Sequence, residues 1–206
     1  YLTEYIYGAN LNITKQFEWK GQQQKLKFGT ANYYRTRNVE VDALGLASLK
    51  PTGDKIYETK ATTFNTLLEP ANIDQYGLVY GNIPASSTDY DGKGMLNAGY
   101  AMLENKFSDK IKLTWGARVE KYKQELTAAG KNKVTLDNTD VLPSFLFTYA
   151  LNNKTNIRLA GSQSVNRPEF RELATYRFYD YENAFIIQGN DKLIRSKNTN
   201  GDARFE

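Results

Sequence analysis

Cysteine and histidine are both absent from the 206 residues, and each absence removes a class of chemistry. Without cysteine there is no disulfide framework, thiolate nucleophile or zinc ribbon, and without histidine there is no Ser-His-Asp triad, HExxH site or imidazole ligand. Most routes to hydrolytic catalysis are closed within this stretch, so it is not expected to be an enzyme. No cofactor motif fills the gap. Gly92-Lys93-Gly94 lacks the spacing and terminal Ser or Thr of a phosphate loop. Asp89, Asp91 and Gly92 make half a calcium loop without the distal Glu or flanking helices, so neither cofactor nor metal is expected. Long apolar runs are missing too. None approaches the roughly 18 to 20 residues of a helical membrane span, and Tyr1 opens no basic and apolar leader, which places any signal peptide outside the sequence. A basic block is likewise lacking: 27 Lys and Arg are interspersed with 23 Asp and Glu for a net charge of +4, a pattern that argues against nucleic acid as a partner.

What the chain does contain is aromatic and periodic. Its 15 Tyr and 10 Phe suit β-structure. From Tyr1 to Trp19, Tyr5, Tyr7, Ala9, Leu11, Ile13 and Phe17 share one parity, and Glu4, Gly8, Asn10, Asn12, Thr14 and Gln16 the other. From Lys110 to Thr127 the alternation returns, with Ile111, Leu113, Trp115, Ala117 and Val119 against Lys112, Thr114, Gly116, Arg118 and Glu120. A period of two with one dry and one wet face is a strand signal. Shorter apolar rows are Leu96, Ala98, Tyr100 and Met102; Phe145, Phe147, Tyr149 and Leu151; and Ile157 with Leu159. Near Gly29 the apolar parity switches from Leu26 and Phe28 to Ala31 and Tyr33, which predicts a bulge or register change.

The connections alternate in length. Tight turns at Lys20 to Gln23, Asn105 to Asp109 and Asn152 to Lys154 are separated by a long stretch over about 42–92, a medium one over about 128–139 and a long one over about 166–198. Short turns at one end and long loops at the other are the pattern of outer-membrane β-barrels, and strands this long exceed the usual length in soluble sheets. The predicted fold is therefore all-β: six to seven antiparallel transmembrane strands forming part of a larger barrel in a bacterial outer membrane. Trp19 and Phe107 at turns fit an interfacial aromatic girdle. The competing fold is a soluble all-β binding module.

Four motifs in order carry a family resemblance: Gly116-Ala117-Arg118-Val119-Glu120, Leu142-Pro143-Ser144, Arg167-Pro168-Glu169-Phe170-Arg171-Glu172-Leu173 and Gly189-Asn190-Asp191-Lys192-Leu193. Together they resemble the barrel of TonB-dependent outer-membrane transporters, most closely the Bacteroidota branch. Asp191 departs from the pattern, where many relatives carry Pro. The resemblance implies a barrel of about 22 strands, with a plug domain and closing strands outside residues 1–206. It also implies a TonB complex engaged through a plug segment outside this chain, and a small nutrient ligand: iron chelate, haem, cobalamin, peptide or glycan. Membrane lipid and lipopolysaccharide are the other partners. The implied function is active uptake, and a passive porin is the alternative.

On this reading Tyr76, Tyr80, Tyr90, Tyr176, Tyr179 and Tyr181 are the candidate ligand-binding residues of the extracellular loops. Aromatic faces supply contact area and hydroxyls supply hydrogen bonds. Tyr57, Phe178 and Phe185 share those loops, and packing within the loop is the competing role for all of them. Lys112, Arg118, Glu120 and Arg158 are expected to face the lumen, either to contact plug or substrate or to pair with one another.

Overall fold

The computed structural model describes residues 1–41, 44–48, 78–82, 89–128, 133–152, 154–175, 177–180 and 182–206. Seven long strands form one antiparallel sheet: β1 (Leu2–Trp19), β2 (Gln22–Val39), β5 (Tyr90–Lys106), β6 (Ile111–Ala128), β7 (Lys133–Asn152), β8 (Thr155–Asn166) and β11 (Ser196–Phe205), in the order β1-β2-β5-β6-β7-β8-β11. Among the described residues β1 pairs only with β2 and β11 only with β8, so the sheet is an open, partial barrel. The loops hold structure of their own. β3 (Leu44–Ser48) pairs with β4 (Leu78–Asn82), β9 (Arg177–Asp180) pairs with β10 (Phe185–Gln188), and α1 (Phe170–Leu173) is a single helical turn.

Alternation puts the residues of each register row on one face. Asn10, Ala31, Ala98, Glu120 and Asp140 make one row of the inner face, while Leu103, Trp115 and Phe145 make one of the outer face. On β6 the outer face is apolar from Ile111 to Val119, nine residues, which matches the roughly 9 to 11 a tilted strand needs to cross hydrocarbon. Beyond Val119 the same face carries Lys121, Lys123 and Glu125, with Lys123 Nζ 3.0 Å from Glu125 Oε1. Charge on a lipid face is costly, so the hydrocarbon band ends near Val119 and the other half of each strand projects past it.

That change of environment explains two departures from the sequence reading. No register shift occurs at Gly29, since both pairings of β2 run through it without interruption. Leu26 and Phe28 belong to the lipid face, whereas Ala31 and Tyr33 pack inward above the band, beside Leu96, Ala98 and Tyr122. The apolar row Leu96 to Met102 likewise lies on the inner face, and Ala101 and Leu103 of the same strand face lipid. The medium connection is also shorter than expected: β6 runs to Ala128 and β7 starts at Lys133, because the strands continue outside the membrane.

The turns form one rim. Lys20 and Gly21, at φ 52° and 71°, make a two-residue hairpin of the kind whose twist matches the strands it joins. Lys20 Nζ lies 5.0 Å from the centroid of the Trp19 ring, an aromatic and cation pair suited to an interface. At the second turn Ser108 Oγ accepts from Lys110 and Ile111 N–H, and the Lys106 ammonium, 2.7 Å from Asp109, holds that carboxyl below its ordinary range. The strand ends at Val39, Tyr90, Ala128, Lys133, Asn166 and Ser196 stand at the opposite rim.

Candidate functional site

The best-packed part of the described chain is at the loop rim, on the inner face. Pro168 is followed by α1, where the Glu172 carboxylate accepts from the Glu169 N–H at 2.8 Å. This turn folds back onto the wall. Phe170, Leu173 and Ala174 are each 1% exposed and join Val39, Tyr90 and Leu126 in one apolar cluster. Phe170 fits because the wall beneath it lacks side chains: a Cβ on Gly92 would come 2.7 Å from its ring, and one on Gly94 3.6 Å. Two guanidiniums flank the ring, Arg35 at 5.1 Å and Arg37 at 5.8 Å from its centroid, where an aromatic face attracts a cation.

Ion pairs tie the same segment to β2, β6 and β7, and through β2 to β1. Arg35 bridges Glu169 at 3.1 Å and Glu4 at 3.2 Å, and Arg37 Nε donates to Glu4 as well. Arg167 donates to Glu120 at 2.6 Å and lies 4.6 Å from the Tyr122 ring centroid. At the far end of the loop, Arg195 donates to Asp140 at 2.7 Å and also to Asn138. Asp140 is fully buried, with Lys197 at 3.3 Å and Arg167 at 3.6 Å. Burying so many charges is costly unless they are paired, and the pairing here fixes where the loop leaves and rejoins the wall.

Between those fixed points stands the β9–β10 hairpin. Its Asp180 carboxylate accepts from Glu182 N, Asn183 N and the Asn183 side-chain amide at 3.0 to 3.2 Å, and these bonds, the Asn183 amide foremost, hold its carboxyl below the ordinary range. The hairpin stem is stitched to α1. Gln188 Nε2 donates to Thr175 C=O at 3.0 Å and Asn190 N–H to Glu172 C=O at 2.7 Å, while Gly189 sits so close to the Ala174 carbonyl that a Cβ there would collide with it. A cavity of about 270 Å³ lies at this junction, lined by Arg171, Glu172, Ile187, Gln188, Asn190 and Leu193. Phe185 and Ile186 are 50% and 63% exposed.

The predicted ligand-binding tyrosines distribute unevenly. Tyr76, Tyr176 and Tyr181 lie outside the described residues, as does Tyr57; Tyr80 falls on β4 and Tyr179 on β9, opposite Ile186. Tyr90 is not a loop residue: it opens β5 and is buried, 4% exposed, in the cluster around Phe170, because the strand begins earlier than the sequence reading placed it. Lys112, Arg118, Glu120 and Arg158 all lie on the inner face, each in an ion pair: Lys112 with Glu104 at 2.9 Å, Arg118 with Glu120 at 2.6 Å, and Arg158 with Glu206 at 3.3 Å. Asp89 and Asp91 accept from Val41 N–H and the Asn38 amide.

Arg35, Arg37, Asp140 and Arg195 escaped the sequence reading. The pair Arg35-x-Arg37 on one parity was a local signal, but its loop partner Glu169 sits 134 residues from Arg35.

The model of the outer membrane protein beta-barrel family matches residues 65–200. Among solved structures, the alcaligin outer-membrane receptor FauA of Bordetella pertussis superposes with a TM-score of 0.56 at 10% identity, over 84% of this chain and 23% of that one. FpvAI, in its complex with pyocin S2, superposes with a TM-score of 0.59 at 16% identity, over 99% of this chain and 23% of that one. The chain thus spans about a quarter of each of those barrel proteins. No curated protein matches it.

Proposed function

Because the chain belongs to the outer membrane protein beta-barrel family, and so to the bacterial outer membrane, we propose that it forms part of the wall of a TonB-dependent receptor. That receptor captures a scarce, bulky nutrient with its outer loops and imports it with energy delivered through TonB. The observation that carries this reading is the loop between β8 and β11. Tied to the inner face through Arg167 at one end and Arg195 at the other, it carries a hairpin with a cavity at its foot. A receptor needs contact surface held on a rigid scaffold, and a structured loop packed against the wall supplies it. The protein's work on this reading is binding and transport, not catalysis; its partners are the nutrient, the TonB complex reached through a plug segment, and membrane lipid and lipopolysaccharide.

The test separates capture from import. In whole cells carrying the intact protein, the candidate nutrients (iron chelates, haem, cobalamin, peptides and glycans) are assayed for surface binding and for accumulation, with and without TonB. Each assay is repeated with the hairpin 177–188 replaced by a short Gly-Ser linker. Binding should survive loss of TonB while accumulation stops, and the linker should weaken binding without impairing assembly. Accumulation that persists without TonB would transfer the protein to the passive channels.

A further inference from the structure

We infer that Phe170 is the positioning residue of this loop: seated in the slot floored by Gly92 and Gly94, it sets the height and direction of the β9–β10 hairpin. The inference rests on the receptor reading for its purpose, but its physical content stands on contacts alone.

The contacts form an unbroken chain. The wall provides the slot, where any side chain at position 92 would occupy the space of the Phe170 ring. Arg35 and Arg37 close over the ring, and both are held in turn by Glu4 of β1. Phe170 begins α1, whose end is bonded to the hairpin stem through Glu172 with Asn190 and Thr175 with Gln188. The close approach of Gly189 to Ala174 admits no side chain between them. The hairpin strands themselves pair only with each other among the described residues. Their orientation therefore depends on the stem, the stem on α1, and α1 on a seat in which the Phe170 ring is the largest buried group, beside Leu173 and Ala174. A flat ring over glycine with cations on its flanks has few alternative seats, unlike an aliphatic side chain that repacks. Glu169 is secondary here: its carboxylate is more than half exposed, so water competes with its pairing to Arg35.

Distance measurement on the intact protein in lipid vesicles tests the inference without any ligand. This stretch has no cysteine of its own, so spin labels are introduced as Ile186→Cys on the hairpin and Thr139→Cys on the outer face of β7, both exposed. The parent should give one narrow distance distribution. Phe170→Ala, which empties the slot, and Gly92→Leu, which fills it, should each broaden that distribution at least twofold, while Glu169→Gln leaves it narrow. Gly92 lies beyond the hydrocarbon band, so a heat-modifiable band on gels should show both barrels assembled; should Gly92→Leu fail to assemble, Gly92→Ala takes its place. A distribution that stays narrow in either the slot-emptying or the slot-filling variant overturns the inference. Its failure is distinct from failure of the receptor reading: a hairpin that disorders in Phe170→Ala, but whose replacement leaves nutrient binding intact, keeps the anchor and rejects the binding role.

Discussion

Tyr100 reaches across an intervening strand to Asn12: its hydroxyl donates to Asn12 Oδ1 at 2.7 Å, and its ring passes over Gly29, where a Cβ would stand 2.9 Å from Cε1. The three residues occupy one register row of the inner face, on β5, β2 and β1. Glycine is required here by the closeness of the ring above it and by the Leu11 carbonyl on the neighbouring strand. Gly29→Ala should therefore cost about 1 to 3 kcal/mol as an overpacking change, against about 0.5 to 1.5 kcal/mol for Tyr100→Phe, which loses only the hydrogen bond. Urea unfolding from lipid vesicles measures both. A harmless Gly29→Ala would mean that the ring does not lie across the strand.

The two faces of β6 make a second, opposite pair of expectations. Leu113 lies in the outer apolar band, while Thr114 points inward beside a depression of about 220 Å³ shared with Ser144, Ala160 and Ser162. Leu113→Arg should lower stability by roughly 2 to 4 kcal/mol, the cost of a cation near the bilayer midplane. Thr114→Arg has room and water, and should cost less than about 1 kcal/mol. Equal losses in the two folding titrations would contradict the assignment of faces.

How far the sequence could reveal this arrangement depended on the environment of each half-strand. Leu11 to Phe17 and Ile111 to Val119 were legible because lipid on one side and water on the other impose a strict period of two. The same logic misled at Gly29, where the wet and dry faces exchange as the strand leaves the membrane: Tyr33 packs inward and Tyr34 stands exposed. Tyr90 was misplaced for the same reason, since β5 continues past the hydrocarbon into a packed cluster. The anchor was visible only as a motif. Nothing local to Arg167-Pro168-Glu169-Phe170 says that Gly92, Arg35 and Arg37 will receive it, because that contact is made by topology.

A chain of amides on the lipid face supplies a third prediction. Trp115 Nε1 donates to Asn105 Oδ1 at 3.0 Å, Asn105 Nδ2 to Gln24 Oε1 at 2.9 Å, and Gln24 Nε2 to the Lys106 carbonyl at 2.9 Å. Gln24 and Asn105 are buried, so each group depends on the next. Asn105→Leu leaves the indole N–H and the Gln24 carbonyl unmet, and should destabilise by about 1 to 3 kcal/mol for each group left without a partner. Replacing all three, with Gln24→Met, Asn105→Leu and Trp115→Phe, removes the orphaned groups together and should recover most of that loss. Unfolding midpoints of the single and triple variants decide it; a triple variant no more stable than Asn105→Leu would show the chain to be incidental.

The last prediction concerns the place where β7 and β8 part. Their pairing ends at Ser144 and Ser162, and in the gap above it Asp140 is fully buried against Arg195, Lys197 and Arg167. A carboxylate in that position holds three cations that would otherwise repel one another, so its loss does more than delete one ion pair. Removing one partner of a buried pair costs about 3 to 5 kcal/mol. The arginines are partly exposed and regain some hydration, which brings the expected cost of Asp140→Ala to roughly 2 to 3 kcal/mol. Arg195→Ala should cost less, because Lys197 and Arg167 still neutralise Asp140, and the double variant should lose less than the sum of the two. The damage should also be local. The outer ends of β7 and β8 stand beyond the apolar band, so hydrogen exchange in Asp140→Ala should quicken over residues 133–143 and 163–166 while residues 144–152, still paired within the membrane, keep their protection. Uniform loss of protection along β7 would mean that the cluster supports the whole wall, and unchanged exchange would mean that it supports nothing.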